Sequence, residues 1–355
     1  MSMNGSAPGP VPGPHNAITD VPGILVGQVQ RTDAPYLTGT TVLHLPGTAV
    51  AGADARGGAP GTRETDLLDP VNSNPGVNAI VLTGGSAYGL DAATGVMAWL
   101  EEQGQGVRVG PGTHEVVPIV SSAVLFDLGR GGAFQARPTH TWGREAIESA
   151  HDGPVAEGNV GAGAGARTGR LKGGLGTASV RFPDGTTVGA LVVVNAVGST
   201  VDSAGRLLGK RLGLGDEFDG LTTPVEPVPP APPGPLPGMN TVIAAVATDV
   251  PLDKAAAKRM AMIAHDGIAR AIDPVHTLLD GDTVFALSTA PAGPPRLTVT
   301  DPAALVRLET VFAAGARTLS RAIVRAVLAA ESVTTPSGRL LSYRDAYPSA
   351  VADLV

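Results

Sequence analysis

Short apolar runs separated by glycine-rich turns recur along the chain, and such runs predict buried strands. Each run has the length of a strand and is bounded by turn residues. The runs cover residues 41–45, 79–83, 187–194, 241–248 and 283–287. The run at 187–194 ends at Asn195, so the pattern predicts a polar side chain at the end of a buried strand.

Apolar residues at helical spacing lie between these strands. A helical run from Leu90 to Gln103 follows the glycine-rich loop 84–89. A second begins near Asp253, and residues 302–331 predict one or two amphipathic helices. A chain of 355 residues with this alternation fits a single large α/β domain with a substantial core.

The strongest break in the pattern is a proline-rich stretch at residues 222–240, which holds eight prolines. Such a stretch cannot pair within a sheet or continue a helix, so we expect an extended, exposed connector. It separates residues 16–221 from residues 241–355, and residues 1–15 are expected to form a disordered tail. Composition alone favours a flexible linker between two domains.

The dipeptide Asn240-Thr241 at the end of this stretch offers a different interpretation. It places a hydroxyl beside a peptide carbonyl, which is the arrangement that an N→O acyl shift needs. Attack of the Thr241 hydroxyl on the Asn240 carbonyl, followed by hydrolysis, would release an N-terminal threonine. Its α-amine, with an ordinary pKa of about 7.7–8.0, is a workable general base for its own hydroxyl.

Composition narrows the classes of function. The net charge of −7 and the lack of a basic stretch argue against nucleic-acid binding, and the absence of cysteine excludes thiolate chemistry. No apolar run is long enough to span a membrane, and the N-terminus lacks the apolar segment of a secretion signal, so we expect a cytoplasmic protein. We expect no cofactor and no metal, since residues 161–165 lack the full dinucleotide motif and no histidine pair has zinc-ligand spacing.

An ordered set of short blocks resembles a family of self-processing N-terminal nucleophile hydrolases. The family comprises the L-aminopeptidase/D-amidase/D-esterases, the β-peptidyl aminopeptidases and the nylon-oligomer endo-hydrolases. The resemblance covers roughly residues 17–330. The blocks are residues 18–23, 54–58, 84–90, 171–177, 193–195, 240–249 and 270–283.

The resemblance implies a four-layer α/β/β/α sandwich, a single domain formed from two chains after self-cleavage. Here those chains would be residues 1–240 and 241–355. It also implies a homo-oligomer, a tetramer or larger, of processed protomers. The implied activity is hydrolysis of short peptides, amino-acid amides or nylon-type 6-aminohexanoate oligomers. An acyltransferase that uses the same acyl-enzyme, or a non-enzymatic scaffold with a proline-rich linker, remains an alternative.

Five residues match the positions that act in the family. Thr241 matches the nucleophile, which is serine in the aminopeptidase branches and threonine in the nylon-oligomer branch. Asp280 and Asp282 match paired carboxylates that would orient the Thr241 amine or hydroxyl. Lys172 would favour the neutral amine and support the oxyanion, and Asn195 would stabilise the oxyanion. Taken without the resemblance, Asp280 and Asp282 also fit a surface Asp-Gly-Asp turn, Lys172 a solvated lysine in a glycine-rich loop, and Asn195 a turn-forming asparagine.

Three further residues are expected to shape the substrate pocket. Phe126 stands where the nylon-oligomer hydrolases carry a tyrosine, so a hydroxyl is missing there. Tyr88 lies in the glycine-rich block after strand 79–83. His276 precedes the paired carboxylates.

Overall fold

The computed structural model describes residues 9–230, 240–290 and 301–354. The strands within these ranges are β1 Leu25–Arg31, β2 Thr38–Ala55, β3 Thr62–Arg63, β4 Val77–Thr83, β5 Val107–Arg108, β6 Val116–Val117, β7 Val120–Val124, β8 Arg167–Thr168, β9 Leu171–Lys172, β10 Gly174–Arg181, β11 Thr187–Val194, β12 Ile243–Thr248, β13 Thr283–Ser288, β14 Val333–Thr335 and β15 Gly338–Leu340. The α-helices are α1 Ala92–Glu102, α2 His140–Glu148, α3 Lys254–Ala269, α4 Pro302–Ala329 and α5 Tyr343–Ala346. None of the helices in this part of the chain is long and apolar enough to cross a membrane.

The long strand β2 belongs to two sheets. Its first half pairs with β1 and β4, and β4 continues through β7 to β3. After an irregularity between His44 and Ala49, its second half pairs with β13, and the sheet continues through β12 and β11 to β10. The two sheets are therefore joined by one bent strand.

Alternation of side chains along the strands separates three apolar cores. Leu43 and Ile80 of the first sheet pack with Leu191 and Ile243 of the second, so the inner faces of the sheets meet. On the outer face of the first sheet, neighbouring residues such as Val81 pack against α1 and α2. The outer face of the second sheet packs in the same way against α3 and α4. The layers run α/β/β/α, and the predicted four-layer sandwich is confirmed.

Small residues let the helices approach the sheets closely. A Cβ atom at Gly176 of β10 would lie 2.2 Å from the Ala322 carbonyl oxygen of α4. One at Gly52 of β2 would lie 2.3 Å from the Lys258 nitrogen of α3. Glycine at these two positions therefore permits the close contact between sheet and helix. Each fully buried Val, Leu or Ile stabilises the fold by about 1.5–3 kcal/mol.

The predicted disordered tail and the proline-rich connector each lie partly within the described residues. Residues 1–8 of the predicted tail lie outside the described residues. In the remainder Val11 exchanges two backbone hydrogen bonds with Arg181, of 3.0 and 2.7 Å, so this part is held against β10. Residues 231–239 of the proline-rich stretch also lie outside the described residues. Its described start, residues 222–230, contains no strand or helix, and Thr222 N–H donates to the Ala350 carbonyl at 2.9 Å.

Candidate active site

The sheet register brings three of the predicted site residues, Asn195, Thr241 and Asp282, together at one end of strands β11, β12 and β13. Strands β11 and β12 are antiparallel, so the end of β11 at Asn195 lies beside the start of β12 at Thr241. Strands β12 and β13 are parallel, so both start at this edge, and Asp282 directly precedes β13. Residues far apart in sequence therefore meet because of strand direction alone.

The peptide bond between Asn240 and Thr241 is enclosed at this edge. Asn240 and Thr241 are only 4% and 5% exposed. The Thr241 hydroxyl donates a hydrogen bond to the Asn240 carbonyl oxygen. The Gly281 N–H lies 3.2 Å from that hydroxyl oxygen and 3.3 Å from the same carbonyl oxygen. A backbone donor aimed at a carbonyl stabilises the negative charge that develops there on nucleophilic attack.

Residues 276–282, which we call the carboxylate turn, carry both predicted carboxylates. Asp280 is buried and accepts hydrogen bonds from Val197 N–H at 3.1 Å and from the Thr277 hydroxyl at 2.5 Å. Burial raises the pKa of Asp280, and these hydrogen bonds oppose that rise. Among the described residues it makes no hydrogen bond to Thr241, so its observed contacts shape the turn.

Asp282 holds the backbone next to the proposed nucleophile. One carboxylate oxygen accepts from Val242 N–H at 2.8 Å. The other accepts from His276 N–H at 3.2 Å and faces His276 Nδ1 at 2.7 Å. A carboxylate can only accept here, so Nδ1 carries the proton. His276, predicted to shape the pocket, therefore positions Asp282, and its ring packs edge-on against His265 with centroids 4.8 Å apart.

The backbone of the block 54–58 and of the following Ala59 packs directly against the carboxylate turn. Arg56 N–H donates to the Asp282 carbonyl at 2.9 Å. A Cβ atom at Gly57 would lie 2.3 Å from the Asp280 carbonyl oxygen, and one at Gly281 would lie 2.5 Å from the Ala59 carbonyl oxygen. Close backbone contact explains why glycine stands at both positions.

Asn195 contacts the site through both its backbone and its side chain. Its carbonyl accepts from Thr241 N–H at 2.5 Å. Its side-chain oxygen accepts from Arg130 at 2.7 Å, and its Nδ2 donates to the Phe126 carbonyl at 3.3 Å. In the uncleaved chain the predicted oxyanion donor therefore points at Phe126, and Gly281 provides the N–H at the Asn240 carbonyl.

Arg130 is a site residue that the sequence analysis missed. Its Nη1 donates to Gly165 O at 2.6 Å and to Asn195 Oδ1, while its Nη2 donates to Asn240 Oδ1 at 3.0 Å. Burial and the neighbouring Arg167 lower the pKa of Arg130 to about 9, against the attraction of Asp127. The available signal was its place in a glycine-rich loop shortly after Phe126, which the resemblance had already indicated.

Lys172 lies in a group with Asp127 and Arg130, which we call the charged cluster. Lys172 and Asp127 are buried, and Arg130 is half-buried. The Lys172 ammonium donates to the carbonyls of Gly163 at 3.0 Å and Gly173 at 2.8 Å. Burial and the nearby Arg130 lower the pKa of Lys172 to about 7, whereas the negative charge of Asp127 acts to raise it. Among the described residues Lys172 makes no hydrogen bond to Thr241, so it is linked to the site through the cluster.

Asp127 and the remaining pocket residue, Tyr88, occupy different surroundings. Asp127 accepts from Gly85 N–H at 2.7 Å, and burial raises its pKa. Tyr88 is 53% exposed, with the Arg137 guanidinium 3.7 Å from its ring centre. The structure thus brings Asp127 into the charged cluster and leaves Tyr88 at the surface.

Comparison with known proteins agrees with this architecture. The chain matches the family described as peptidase family S58 over residues 16–341. It is 49% identical over 340 residues to an uncharacterised aminopeptidase of Mycobacterium leprae, covering 90% of this chain and 92% of that protein. It is 35% identical over 286 residues to a 6-aminohexanoate-oligomer endohydrolase of a Kocuria species, covering 76% and 74%.

A solved structure extends the comparison to the fold. The L-aminopeptidase D-Ala-esterase/amidase of Ochrobactrum anthropi superposes with a TM-score of 0.68 at 26% identity, covering 94% of this chain and 92% of that one. Its fold is described as a variant of the N-terminal-nucleophile hydrolase fold. The predicted family resemblance and fold class are confirmed.

Proposed function

The chain belongs to peptidase family S58 and is a hydrolase of amide bonds, and we propose that it cleaves its own Asn240–Thr241 bond and then uses Thr241 as its nucleophile. The observation that carries the proposal is the enclosure of this bond. The Thr241 hydroxyl lies against the Asn240 carbonyl oxygen, and the Gly281 N–H faces both. A free linker end would leave these two residues exposed, and both are buried.

Self-cleavage proceeds through an ester. The Thr241 oxygen attacks the Asn240 carbonyl carbon while the Gly281 N–H stabilises the oxyanion. The C–N bond then breaks, and the amine nitrogen takes up the proton that the hydroxyl loses. Water hydrolyses the ester, so Asn240 leaves with a carboxylate and Thr241 regains its hydroxyl on a free N-terminus.

The processed enzyme repeats this chemistry on a substrate. The Thr241 amine accepts the proton of its own hydroxyl as the oxygen attacks an amide carbonyl, and returns it to the leaving amine. Asp282 keeps β12 in place, and Asp280 shapes the turn that presents Gly281. Once the Asn240–Thr241 bond is cut, the Asn195 amide turns to the oxyanion. Lys172 influences Asn195 electrostatically through Arg130, which is hydrogen-bonded to Asn195.

For substrates we propose short peptides, amino-acid amides or 6-aminohexanoate oligomers. The support is the activity for which two relatives are named, an oligomer endohydrolase and an aminopeptidase that is also an esterase and amidase. We also propose that processed protomers form a homo-oligomer, a tetramer or larger, which light scattering tests.

Two variants of Thr241 test the proposal. Thr241→Ala removes the hydroxyl and should give a chain that stays intact and hydrolyses no amino-acid p-nitroanilide. Thr241→Ser keeps a hydroxyl at the same atom and should restore cleavage at the same bond. Denaturing gels with fragment masses, and release of p-nitroaniline, measure both. Cleavage of Thr241→Ala after Asn240 would exclude the acyl shift.

A further inference from the structure

Asn240 occupies a built subsite in the uncleaved chain. Its N–H donates to the Leu279 carbonyl and its carbonyl accepts from Gly281 N–H, each at 3.3 Å. Its side-chain oxygen accepts from Arg130 Nη2 at 3.0 Å. The backbone and the side chain of one residue are thus recognised separately, and the side chain is recognised by a cation.

Arg130 is oriented without help from Asn240. Its other terminal nitrogen, Nη1, donates to Gly165 O at 2.6 Å and to Asn195 Oδ1 at 2.7 Å. Both acceptors stay in the protein after the cut, and the hydrogen bond to Gly165 O keeps the direction of the guanidinium when the Asn195 amide turns to the oxyanion. Nη2 then remains as a donor aimed at the place that Asn240 leaves.

Self-cleavage and substrate hydrolysis use the same attacking oxygen. In self-cleavage Asn240 supplies the acyl group that Thr241 attacks. In turnover the acyl residue of the substrate must bring its carbonyl carbon to the same oxygen, beside the same Gly281 N–H. Its side chain is then directed as that of Asn240 is, toward Arg130, and its α-amino group toward the Leu279 carbonyl.

Resting on the proposed function, we infer that Arg130 and the Leu279 carbonyl form the acyl subsite of the processed enzyme, and that Arg130 selects acyl residues with an oxygen acceptor on the side-chain γ carbon. The substrate class is amides and short peptides that begin with asparagine or aspartate. Leucine is the matched apolar comparison, because it branches at the same carbon and offers no acceptor. A hydrogen bond to a charged group supports a preference of about 10- to 100-fold in kcat/KM.

The first experiment compares Asn-, Asp- and Leu-p-nitroanilide with fully processed wild-type enzyme. We expect kcat/KM for the Asn and Asp compounds to exceed that for the Leu compound by about tenfold or more. In Arg130→Met this ratio should fall to about twofold or less, since methionine offers no donor. Arg144→Met, which removes an exposed arginine on α2 that pairs with Glu102, should keep the wild-type ratio.

A second experiment does not depend on the folding of an Arg130 variant. Asn240→Asp and Asn240→Leu change the acyl residue of the self-cleavage step and leave Arg130 in place. We expect Asn240→Asp to process at close to the wild-type rate and Asn240→Leu about tenfold more slowly. Equal kcat/KM for Leu and Asn compounds by processed enzyme would overturn the subsite and leave the proposed function standing. A chain that neither cleaves after Asn240 nor hydrolyses any of the three compounds would overturn both.

Discussion

The carboxylate turn and the charged cluster hold the Asn240–Thr241 bond from two sides by different means. In the turn, backbone N–H groups meet carboxylates, and Asp282 accepts from Val242 at 2.8 Å. In the cluster, a lysine and an aspartate are buried beside the half-buried Arg130, which reaches Asn240 at 3.0 Å. The carboxylate turn orients the backbone of the bond through hydrogen bonds to backbone N–H groups. The charged cluster contacts the Asn240 side chain through the Arg130 guanidinium.

The two regions differ in their expected response to a larger side chain and to a change of pH. The turn is packed against the block 54–58 so closely that a single added carbon meets backbone atoms. The cluster contains groups whose pKa values burial moves toward neutrality, Lys172 to about 7 and Arg130 to about 9. We therefore expect the turn to be sensitive to shape and the cluster to be sensitive to pH.

Gly281→Ala tests the turn by shape and should have the largest effect. The new Cβ would lie 2.5 Å from the Ala59 carbonyl oxygen and 3.0 Å from the Thr241 hydroxyl oxygen. The N–H donor must shift, so we expect self-cleavage to slow by about 10²–10³-fold, the loss typical of one oxyanion donor. The processing half-life on denaturing gels measures it. Gly47→Ala, whose Cβ meets nothing within 4 Å, is the control. Equal processing of both variants would contradict the importance of the fit.

Asp282→Asn tests the turn by hydrogen bonding and should have the next largest effect. The amide can no longer accept from Val242 and His276 together through two oxygens, so the start of β12 loses a charged acceptor. We expect processing to slow by about 10²-fold. Asp66→Asn, at an exposed aspartate, should process normally. A rate for Asp282→Asn within about twofold of wild type would show that the carboxylate is dispensable.

Lys172→Met tests the cluster by pH. An unfolded lysine keeps its proton up to about pH 10, while the folded one loses it near pH 7. Folding therefore releases a proton between these values, and stability rises with pH in that window. In an uncleaved Thr241→Ala background, the free energy of unfolding should rise from pH 7 to 9 by about 1 kcal/mol per pH unit relative to the Lys172→Met variant.

Urea unfolding at pH 6, 7, 8 and 9 measures this difference. Below pH 7 both states hold the proton, so the difference should be flat there. Lys258→Met, which removes a lysine near the surface, controls for the change in net charge. A constant difference between the Lys172 pair across the whole range would contradict the titration of Lys172.

Phe126→Leu should have the smallest effect, and it tests whether the Phe126 ring belongs to the site. The observed contact of Phe126 with the site is its backbone carbonyl, which accepts from Asn195 Nδ2 at 3.3 Å. A change of side chain leaves that carbonyl in place, so processing should stay within about threefold of wild type, a change of less than 1 kcal/mol. A loss of tenfold or more in the gel assay would show that the ring itself holds Asn195.

The fold was predictable where apolar runs are continuous. The prediction of 187–194 coincides with β11, and 79–83 lies within β4. In contrast only 41–45 of β2 was predicted, because Pro46, Gly47 and Thr48 interrupt its apolar pattern where the strand crosses from one sheet to the other. The pattern at 302–331 predicts one or two helices, and the structure has a single helix, α4, over Pro302–Ala329.

Beyond Thr241, the candidate site was predictable only as far as the family resemblance extends. The dipeptide Asn240-Thr241 already indicates Thr241, and the resemblance adds Lys172, Asn195 and the paired carboxylates. Strand direction explains why Asn195, Thr241 and Asp282 meet. Arg130 and Gly281 escaped it for physical reasons. Arg130 lies in an irregular loop and meets Asn240 across 110 residues of chain, a contact that no local pattern encodes. Gly281 contributes a backbone N–H, which every residue except proline carries.

The most direct test of the account is the mass and N-terminal sequence of the purified wild-type chain. The account predicts two polypeptides, residues 1–240 and residues 241–355, with the smaller one beginning at Thr241. A single polypeptide of 35.5 kDa that persists on prolonged incubation would contradict the central claim.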